Sequence, residues 1–318
     1  RAPGQNALST ARKESDTVEI QSGFFNGFTT GTPLCARIVN SDQHSKDYSI
    51  LADKMRPGHA DYAGHVRYQG FNDYRGGGHF SGRLTAPLVF AGAVAKQALA
   101  QYGIVVGSHI LQINDIKEER FNPMGVSDAE LAALQAKKFA VMDDAIGEKM
   151  QERILQAKSE LNSVGGVIEA IALHLPAGIG APYFDSVESM LSHALFSVPA
   201  VKGVEFGDGF GFAGLTGAEA NDALHYADGE VQALTNHNGG ITGGITNGMP
   251  LVVRVAIKPT PSIAREQQTV SLKEQADTTL AIVGRHDPCI VQRAVPVIEA
   301  VVAWTLWDLL LEAKKWEK

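Results

Sequence analysis

One apolar stretch near the C-terminal end constrains the fold most: Ala294 to Leu311 reads AVPVIEAVVAWTLWDLLL. It is almost as long as a membrane-spanning helix. However, Glu299 and Asp308 interrupt it, and Pro296 is expected near its first turn. These features predict a helix that is buried on most sides in a protein core, and we expect no membrane partner.

Length and composition favour a well-packed domain in a reducing environment. The chain has 318 residues and is 44% apolar, which is enough for a sizeable core. We expect a single domain over 1–318. Cys35 and Cys289 are the two cysteines, so a disulfide framework is not indicated and a cytoplasmic location is favoured.

The charge balance restricts the class of ligand. The formal net charge is -7 at pH 7, with 28 Lys and Arg against 35 Asp and Glu. A non-specific nucleic-acid binder would need the opposite balance, so we expect no nucleic-acid partner. A small anionic ligand that is drawn into a local basic cleft fits better.

The pattern of apolar residues predicts an α+β fold. An antiparallel start is expected over residues 18–39, around the tight turn Asn26-Gly27. Further strands are predicted at 104–113, 167–175, 201–206 and 250–257, and helices at 87–102, 128–163 and 185–196.

Two short segments combine a fixed positive charge with a titratable histidine ring: Gly76 to Arg83, which is also rich in glycine, and Arg285 to Cys289. Such segments are typical of sites that hold an anion. The predicted helix at 87–102 directly follows the first segment and points its unsatisfied amides toward it, which favours a phosphate there.

The segment Gly209 to Gly214 matches the glycine spacing of a dinucleotide-binding loop. That motif requires a long helix to begin there, but Gly217 follows shortly and no long periodic segment does. A glycine-rich loop between strands is the better interpretation. An NAD-dependent dehydrogenase stays an alternative that predicts a helix near Gly214 and a parallel sheet.

The ten histidines show no metal-binding spacing, and we expect no metal. His174, within a predicted strand, and His193, within a predicted helix, are interpreted as structural or surface groups. His59 differs because it lies in the irregular segment Arg56-Pro57-Gly58-His59-Ala60-Asp61. A histidine in such a place can exchange protons near neutral pH.

Six segments, taken in order, resemble the chorismate synthase family. They are Arg56-Pro-Gly-His-Ala-Asp61, Asp73-Tyr-Arg-Gly-Gly-Gly78, Ser81-Gly-Arg-Leu-Thr85, Asn236-His-Asn-Gly-Gly240, Lys258-Pro-Thr-Pro-Ser262 and Arg285-His-Asp-Pro-Cys289. The resemblance extends from Arg1 to about Leu311.

The resemblance implies a lyase of the shikimate pathway that converts 5-enolpyruvylshikimate 3-phosphate into chorismate and phosphate. The reaction is a 1,4-anti elimination that requires reduced FMN without net redox change. The implied fold is a single α+β domain with a layer of helices sandwiched between antiparallel β-sheets, and the implied assembly is a homotetramer.

The resemblance also implies roles for individual residues. His59 and Asp287 are the expected catalytic residues, which manage protons near the flavin. Arginines are expected to bind the substrate phosphate and carboxylates: Arg12, Arg56, Arg83 and Arg285. The expected flavin-binding residues are His79, Phe80, Ser81, Pro199, Ala200, Gly243, Lys258, Pro259, Thr260, Pro261, Ser262 and Arg285.

Three departures from the family pattern bear on these expectations. A Gly-Glu-Ser-His-Gly segment, whose histidine would protonate the leaving phosphate, would precede Arg1. Where many relatives have Arg-Ser-Ser-Ala-Arg-Glu-Thr, this chain has the residues 79–85 His-Phe-Ser-Gly-Arg-Leu-Thr, with one positive charge fewer. Arg1 matches a nicotinamide contact, but its partner arginine is replaced around Ala7.

We therefore expect NADPH to act indirectly, through a separate flavin reductase. A non-catalytic flavin-binding or anion-binding protein is a further alternative. It predicts FMN uptake without turnover.

Overall fold

The computed structural model describes residues 2–4, 8–9, 15–40, 50–227, 229–282 and 286–314. Its helices are α1 (Asp61–Arg67), α2 (Thr85–Ala100), α3 (Asp128–Ala136), α4 (Asp144–Ser159), α5 (Val187–Phe196), α6 (Gly217–Ala220) and α7 (Val291–Lys314). Its strands are β1 (Val18–Ser22), β2 (Phe24–Phe25), β3 (Phe28–Thr29), β4 (Cys35–Ile38), β5 (Val105–Ile113), β6 (Ile116–Lys117), β7 (Gly166–Leu173), β8 (Val201–Phe206), β9 (Leu224–Ala227), β10 (Glu230–Ala233), β11 (Ile241–Thr242), β12 (Ile245–Thr246), β13 (Leu251–Ile257), β14 (Gln267–Ser271) and β15 (Ala276–Leu280).

A five-stranded sheet forms the centre, in the order β6-β5-β7-β13-β8. Each neighbouring pair in it is antiparallel. Its middle strands are buried on both faces, so they read as nearly continuous apolar runs. The remaining described strands form antiparallel two-stranded ribbons, including β1 with β4 and β2 with β3 around the turn Asn26-Gly27. The predicted antiparallel start is confirmed.

Helix α7 lies against β5 and β7 and also packs against α2 and α5. By length and composition it could cross a membrane, but 72% of its most apolar window is buried inside the protein. A Cβ placed on Gly92 of α2 would lie 2.2 Å from the Cβ of Ala300, so glycine is what lets α2 and α7 approach closely. The predicted buried helix is confirmed.

The buried carboxylate inside α7, that of Glu299, has hydrogen-bond partners. Glu299 is 6% exposed; its carboxylate accepts hydrogen bonds from Lys96 Nζ at 2.5 Å and from Ser108 Oγ at 2.9 Å. A buried carboxylate with two donors, one of them charged, is tolerated within an apolar helix. Pro296 was predicted near the first turn; this is wrong, because the helix begins at Val291.

A row of charged side chains, here called the charge row, crosses the sheet on the face that α3 covers. His109, Glu169, Arg254 and Glu205 are direct partners on β5, β7, β13 and β8. Glu169 accepts from His109 Nε2 at 3.1 Å and from Arg254 Nη1 at 3.0 Å, and Arg254 Nε donates to Glu205 at 2.5 Å. His109, Glu169 and Arg254 are all buried.

His109 is held between two carboxylates. Its Nδ1 contacts Glu118, which follows β6, while its Nε2 contacts Glu169. Burial by itself lowers the pKa of His109, but the hydrogen bonds to Glu118 and Glu169 outweigh it and raise that pKa above its ordinary value. Each ring nitrogen thus lies against a carboxylate, an arrangement that stabilises the protonated ring.

The predicted helix over 128–163 is wrong as one element, because the structure divides it into α3 and α4. Ser127 begins α3 with a capping box, and Asp143 caps α4. Between the helices, Phe139, Ala140 and Val141 are buried, and Ala140 accepts a hydrogen bond from Ile110 of β5 at 2.7 Å. The apolar spacing in the sequence continues between α3 and α4 because the residues that link the two helices are buried as well.

The other predicted elements are present with shifts of a few residues. They correspond to α2, α5, β5, β7, β8 and β13. His174 lies just after β7 rather than in it; it is exposed and 3.0 Å from Asp128, as expected of a surface group.

The dehydrogenase alternative fails on both of its predictions. After Gly214 the backbone is extended at Leu215, and the helix that follows, α6, has four residues. The strand pairs that the structure describes are antiparallel, so the parallel sheet of a dinucleotide-binding fold does not form. Gly209 to Gly214 is a 3₁₀ turn between β8 and α6.

The charge row predicts how stability depends on pH. Because the folded state raises the pKa of His109, its contribution is complete below about pH 6.5 and is lost as pH rises through the folded pKa. We expect the free energy of unfolding, from urea titrations, to fall with a slope of up to about 1.4 kcal/mol per pH unit in that window. His109→Gln should remove this slope, and His174→Gln should retain it; an unchanged slope in His109→Gln would contradict the assignment.

Candidate active site

The segment Arg56–Asp61 folds back on itself around one buried ion pair. Arg56 is 5% exposed and Asp61 is 8% exposed. Asp61 Oδ2 accepts from Arg56 Nε at 2.7 Å and Oδ1 accepts from Nη2 at 2.7 Å, which is a bidentate pair. Asp61 also begins α1, so the pair fixes where the loop ends and the helix starts.

His59 completes this cluster. Its Nδ1 lies 2.7 Å from Asp61 Oδ1 and 3.1 Å from Arg56 Nη2. Burial raises the pKa of Asp61, but the hydrogen bonds from Arg56 and His59 outweigh it and hold that pKa far below its usual range. Arg56 Nη1 donates to Ser262 Oγ at 3.2 Å. We call Arg56, His59, Asp61 and Ser262 the Arg56 cluster.

The glycine-rich segment lies beside His59. A Cβ on Gly77 would stand 3.8 Å from His59 Cε1 and 3.7 Å from the Cβ of Ser81, so the ring edge faces this segment. The ring of Phe80 packs on Gly64 of α1, where a Cβ would come within 2.6 Å of it. Ser81 Oγ accepts from the Arg83 backbone N–H at 3.3 Å. His79 is exposed next to this contact.

The start of α2 lies immediately after these residues. A 3₁₀ turn, Gly82–Leu84, leads directly into it, and Thr85 Oγ1 donates to the Gly82 carbonyl at 2.6 Å. No side-chain hydrogen bond is described at its N-cap residue, Leu84. The helix therefore begins beside the glycine-rich segment, as predicted.

The segment Lys258–Ser262 packs against the Arg56 cluster from the end of β13. Lys258 Nζ donates to the Gly58 carbonyl, and a Cβ on Gly58 would lie 3.4 Å from the Cβ of Pro261. The Lys258 N–H donates to the Ala200 carbonyl at 2.9 Å, which brings Pro199 and Ala200 to the same place. Burial and the neighbouring charge of Lys202 lower the pKa of Lys258.

One buried hydroxyl in this segment has no hydrogen-bond partner among the groups that the structure describes. Thr260 Oγ1 is buried and unbonded. Buried hydroxyls are normally satisfied, and an unsatisfied one costs free energy. An oxygen-rich ligand bound between Lys258 and Ser262 would give this hydroxyl the hydrogen-bond partner that it lacks.

Asp287 approaches the same region from the start of α7. Asp287 is buried and pairs with Arg293. Pro288 accepts a hydrogen bond from the Val164 N–H at 2.9 Å, and Ser163 Oγ donates to the Thr260 carbonyl at 2.7 Å. Asp287 is thus joined to Lys258–Ser262 through two residues before β7.

The structure brings most of the expected residues together. Arg56, His59 and the segments 79–81, 199–200, 258–262 and 287–288 are linked by the contacts above. Gly243 lies in the turn between β11 and β12, where Gly244 accepts from the first N–H of α5. Ala200 follows the other end of α5, a helix of about 15 Å, so Gly243 is well separated from Ala200. Arg1, Arg12 and Arg285 lie outside the described residues.

Sequence reasoning did not single out three residues of this site: Asp61, Arg293 and Lys202. Asp61 stood within the quoted Arg-Pro-Gly-His-Ala-Asp segment, and its position two residues after His59 was the available signal. Arg293 follows Asp287 by six residues across the start of α7. Lys202 lies on β8, next to the strand that leads to Lys258.

Comparison with known proteins identifies the family of the chain. The family model described as chorismate synthase matches residues 1–311. The chain belongs to the chorismate synthase family. It is 48% identical over 317 residues to chorismate synthase of Thermococcus gammatolerans and 46% identical to that of Pyrococcus abyssi; each alignment covers 100% of this chain and 87% of the relative.

A solved structure supports the same assignment. A crystal structure of chorismate synthase superposes with a TM-score of 0.72 at 30% identity, covering 93% of this chain and 78% of that chain. The fold is therefore the mixed α/β chorismate synthase fold with antiparallel sheets. The activity is that of the family, a lyase reaction of the shikimate pathway that yields chorismate and phosphate, and the family uses reduced FMN.

The two cysteines are predicted to differ sharply in reactivity. Cys289, beside Asp287, is fully buried, and burial raises the pKa of its thiol to about 12, whereas Cys35 is exposed. At pH 8 we expect a chromogenic disulfide reagent to label one thiol per chain quickly and the second after denaturation. Cys35→Ser should abolish the fast phase, and equal rates for both thiols would contradict the buried position of Cys289.

Proposed function

We propose that the Arg56 cluster and the segment Lys258–Ser262 form the site at which 5-enolpyruvylshikimate 3-phosphate undergoes 1,4-anti elimination. The observation that carries this proposal is that Arg56 contacts both His59, in its own loop, and Ser262, which is 206 residues away in the chain. A stable core does not need a buried arginine, a histidine and an orphaned threonine hydroxyl at one place.

The substrate carries one phosphate and two carboxylates, so its site needs several donors. Arg56 would present its remaining Nη1 hydrogen, and Lys258 would present an ammonium that contacts a carbonyl rather than a carboxylate. Arg83 would contribute from the turn before α2, where the helix amides favour a phosphate. Arg12 and Arg285 are proposed as further clamps from the family resemblance alone.

The residues present fit reduced FMN. Thr260 Oγ1 is an unsatisfied buried donor, and Lys258, two residues before it, would supply an ammonium for a phosphate or ring oxygen. We propose that these residues hold the flavin together with His79, Phe80, Ser81, Pro199, Ala200, Pro259, Pro261, Ser262, Gly243 and Arg285. Reduced FMN, when bound, supplies electron density for breaking the carbon–oxygen bond and accepts the departing hydrogen.

His59 and Asp287 would manage charge around that chemistry. With Nδ1 held by Asp61, His59 has Nε2 available to take or release a proton. Asp287 is paired with Arg293, which fixes the orientation of its carboxylate. In this proposal neither residue attacks the substrate, and both orient and balance protons.

The wider setting follows the family resemblance. We propose a homotetramer in the cytoplasm that receives reducing equivalents from NADPH through a separate flavin reductase, and a helix layer between antiparallel sheets in a single domain over 1–318. Exposed apolar side chains on the β9–β10 ribbon support assembly, since Leu224, Tyr226 and Val231 are 71%, 80% and 54% exposed.

Anaerobic turnover tests the activity at this site. The full-length protein is mixed with chemically reduced FMN and 5-enolpyruvylshikimate 3-phosphate, and released phosphate and chorismate are measured. We expect equal amounts of both products. FMN uptake without phosphate release would instead favour the non-catalytic flavin-binding alternative.

Replacement of His59 tests its proton role. We expect His59→Ala to lower kcat by about 10²-fold or more, because proton transfer by a positioned side chain contributes at least that much. His193→Ala, on the exposed surface of α5, is the matched control and should keep the parent rate. Circular dichroism would verify the fold of both variants, and a near-normal rate in His59→Ala would refute the role.

A further inference from the structure

We propose that Asp61 is a positioning residue for this reaction: its carboxylate holds Arg56 and His59 as one unit and keeps a hydrogen on His59 Nδ1, so that Nε2 is the atom that exchanges protons. The proposal rests on the roles of Arg56 and His59 proposed above. It adds a residue that neither the family pattern nor the sequence motifs assigned.

Asp61 has no oxygen left for a ligand. Its Oδ2 accepts from the Arg56 backbone N–H at 3.0 Å and from Arg56 Nε at 2.7 Å. Its Oδ1 accepts from Arg56 Nη2 at 2.7 Å and lies 2.7 Å from His59 Nδ1. The side chain is 8% exposed. Asp61 therefore acts through its two neighbours rather than by touching the substrate.

The same distances select the tautomer of His59. A bare Nδ1 could accept from Arg56 Nη2 at 3.1 Å, but its lone pair would then face the carboxylate oxygen at 2.7 Å. A hydrogen on Nδ1 turns that shorter contact into a charge-assisted hydrogen bond, which is the stronger of the two. In the neutral ring, Nε2 consequently carries the lone pair.

Nε2 points toward the segment that is proposed to hold the flavin. A Cβ on Gly77 would lie 3.9 Å from it and 3.7 Å from the Cβ of Ser81. Gly77 has a φ of +85°, which favours glycine, so residue 77 places no side chain against this edge of the ring. Asp61 thus fixes the inner nitrogen while the outer nitrogen faces the site.

The tautomer can be measured in the parent protein without any substitution. Nitrogen-15 spectra of the histidine rings, with His59 assigned by comparison with His59→Ala, report which nitrogen carries the hydrogen at high pH. We expect the Nδ1–H form for neutral His59. The Nε2–H form would overturn the proposal.

A double-mutant cycle then tests whether Asp61 acts through His59. At saturating substrate and reduced FMN, we expect Asp61→Asn to lower kcat by about 10²-fold, because an asparagine cannot accept from both Arg56 and His59. The double variant should lose clearly less than the product of the two single losses, whereas a purely structural role would multiply them. Multiplied losses would overturn the proposal.

The controls separate this proposal from the function on which it rests. Asp128→Asn removes an exposed aspartate–histidine pair on α3 and should keep the parent kcat. A near-normal rate in His59→Ala would refute the proton role of His59 itself. A slow His59→Ala together with a near-normal Asp61→Asn would refute the role of Asp61 alone.

Discussion

The in-register row of charges across the central sheet is the constraint on which the rest of the structure depends. His109, Glu169, Arg254 and Glu205 stand opposite one another on four adjacent strands. A slip of one residue in any strand would move its charged side chain onto the face that α7 covers, and would leave its partners buried and unpaired. Because the middle strands are apolar on both faces, alternation does not specify their register, and the paired charges do.

That register also places the candidate active site. β13 ends at Ile257, whereas β8 begins at Val201 and β7 begins at Gly166. Because these neighbouring strands are antiparallel, the three termini lie together at one end of the sheet. Lys258, Ala200 and Ser163 are the residues just beyond those ends. A Cβ on Gly165 would lie 2.3 Å from the Ile257 carbonyl, so the backbones are already in contact there. The loops that contain Lys258, Ala200 and Ser163 therefore meet at this end of the sheet, next to the Arg56 cluster.

Periodicity in the sequence predicted the strands and helices that have one clear pattern, among them β5, β7, β13 and α7. It failed between α3 and α4, because the non-helical link there buries Phe139, Ala140 and Val141 and so carries the same apolar residues as a helix. The charge row could not be predicted from the sequence, because Glu169 and Arg254 pair only after strands that are distant in sequence come together. Asp61 belongs to one of the quoted motifs. Its role depends on how the loop folds around Arg56 and His59, and their nearness in sequence does not reveal that fold.

Two arginines at the candidate site, Arg56 and Arg293, are each paired with an aspartate, which the net charge of the chain does not reveal. Arg56 is already neutralised by Asp61, and Asp287 by Arg293, so these pairs contribute directed hydrogen bonds more than net attraction. Both oxygens of Asp61 are occupied by Arg56 and His59. In the site proposed above, an anionic ligand would therefore meet the Nε2 side of the His59 ring and the remaining Arg56 hydrogen instead of a free carboxylate. In a chain of net charge -7, this local pairing is what leaves room for an anion.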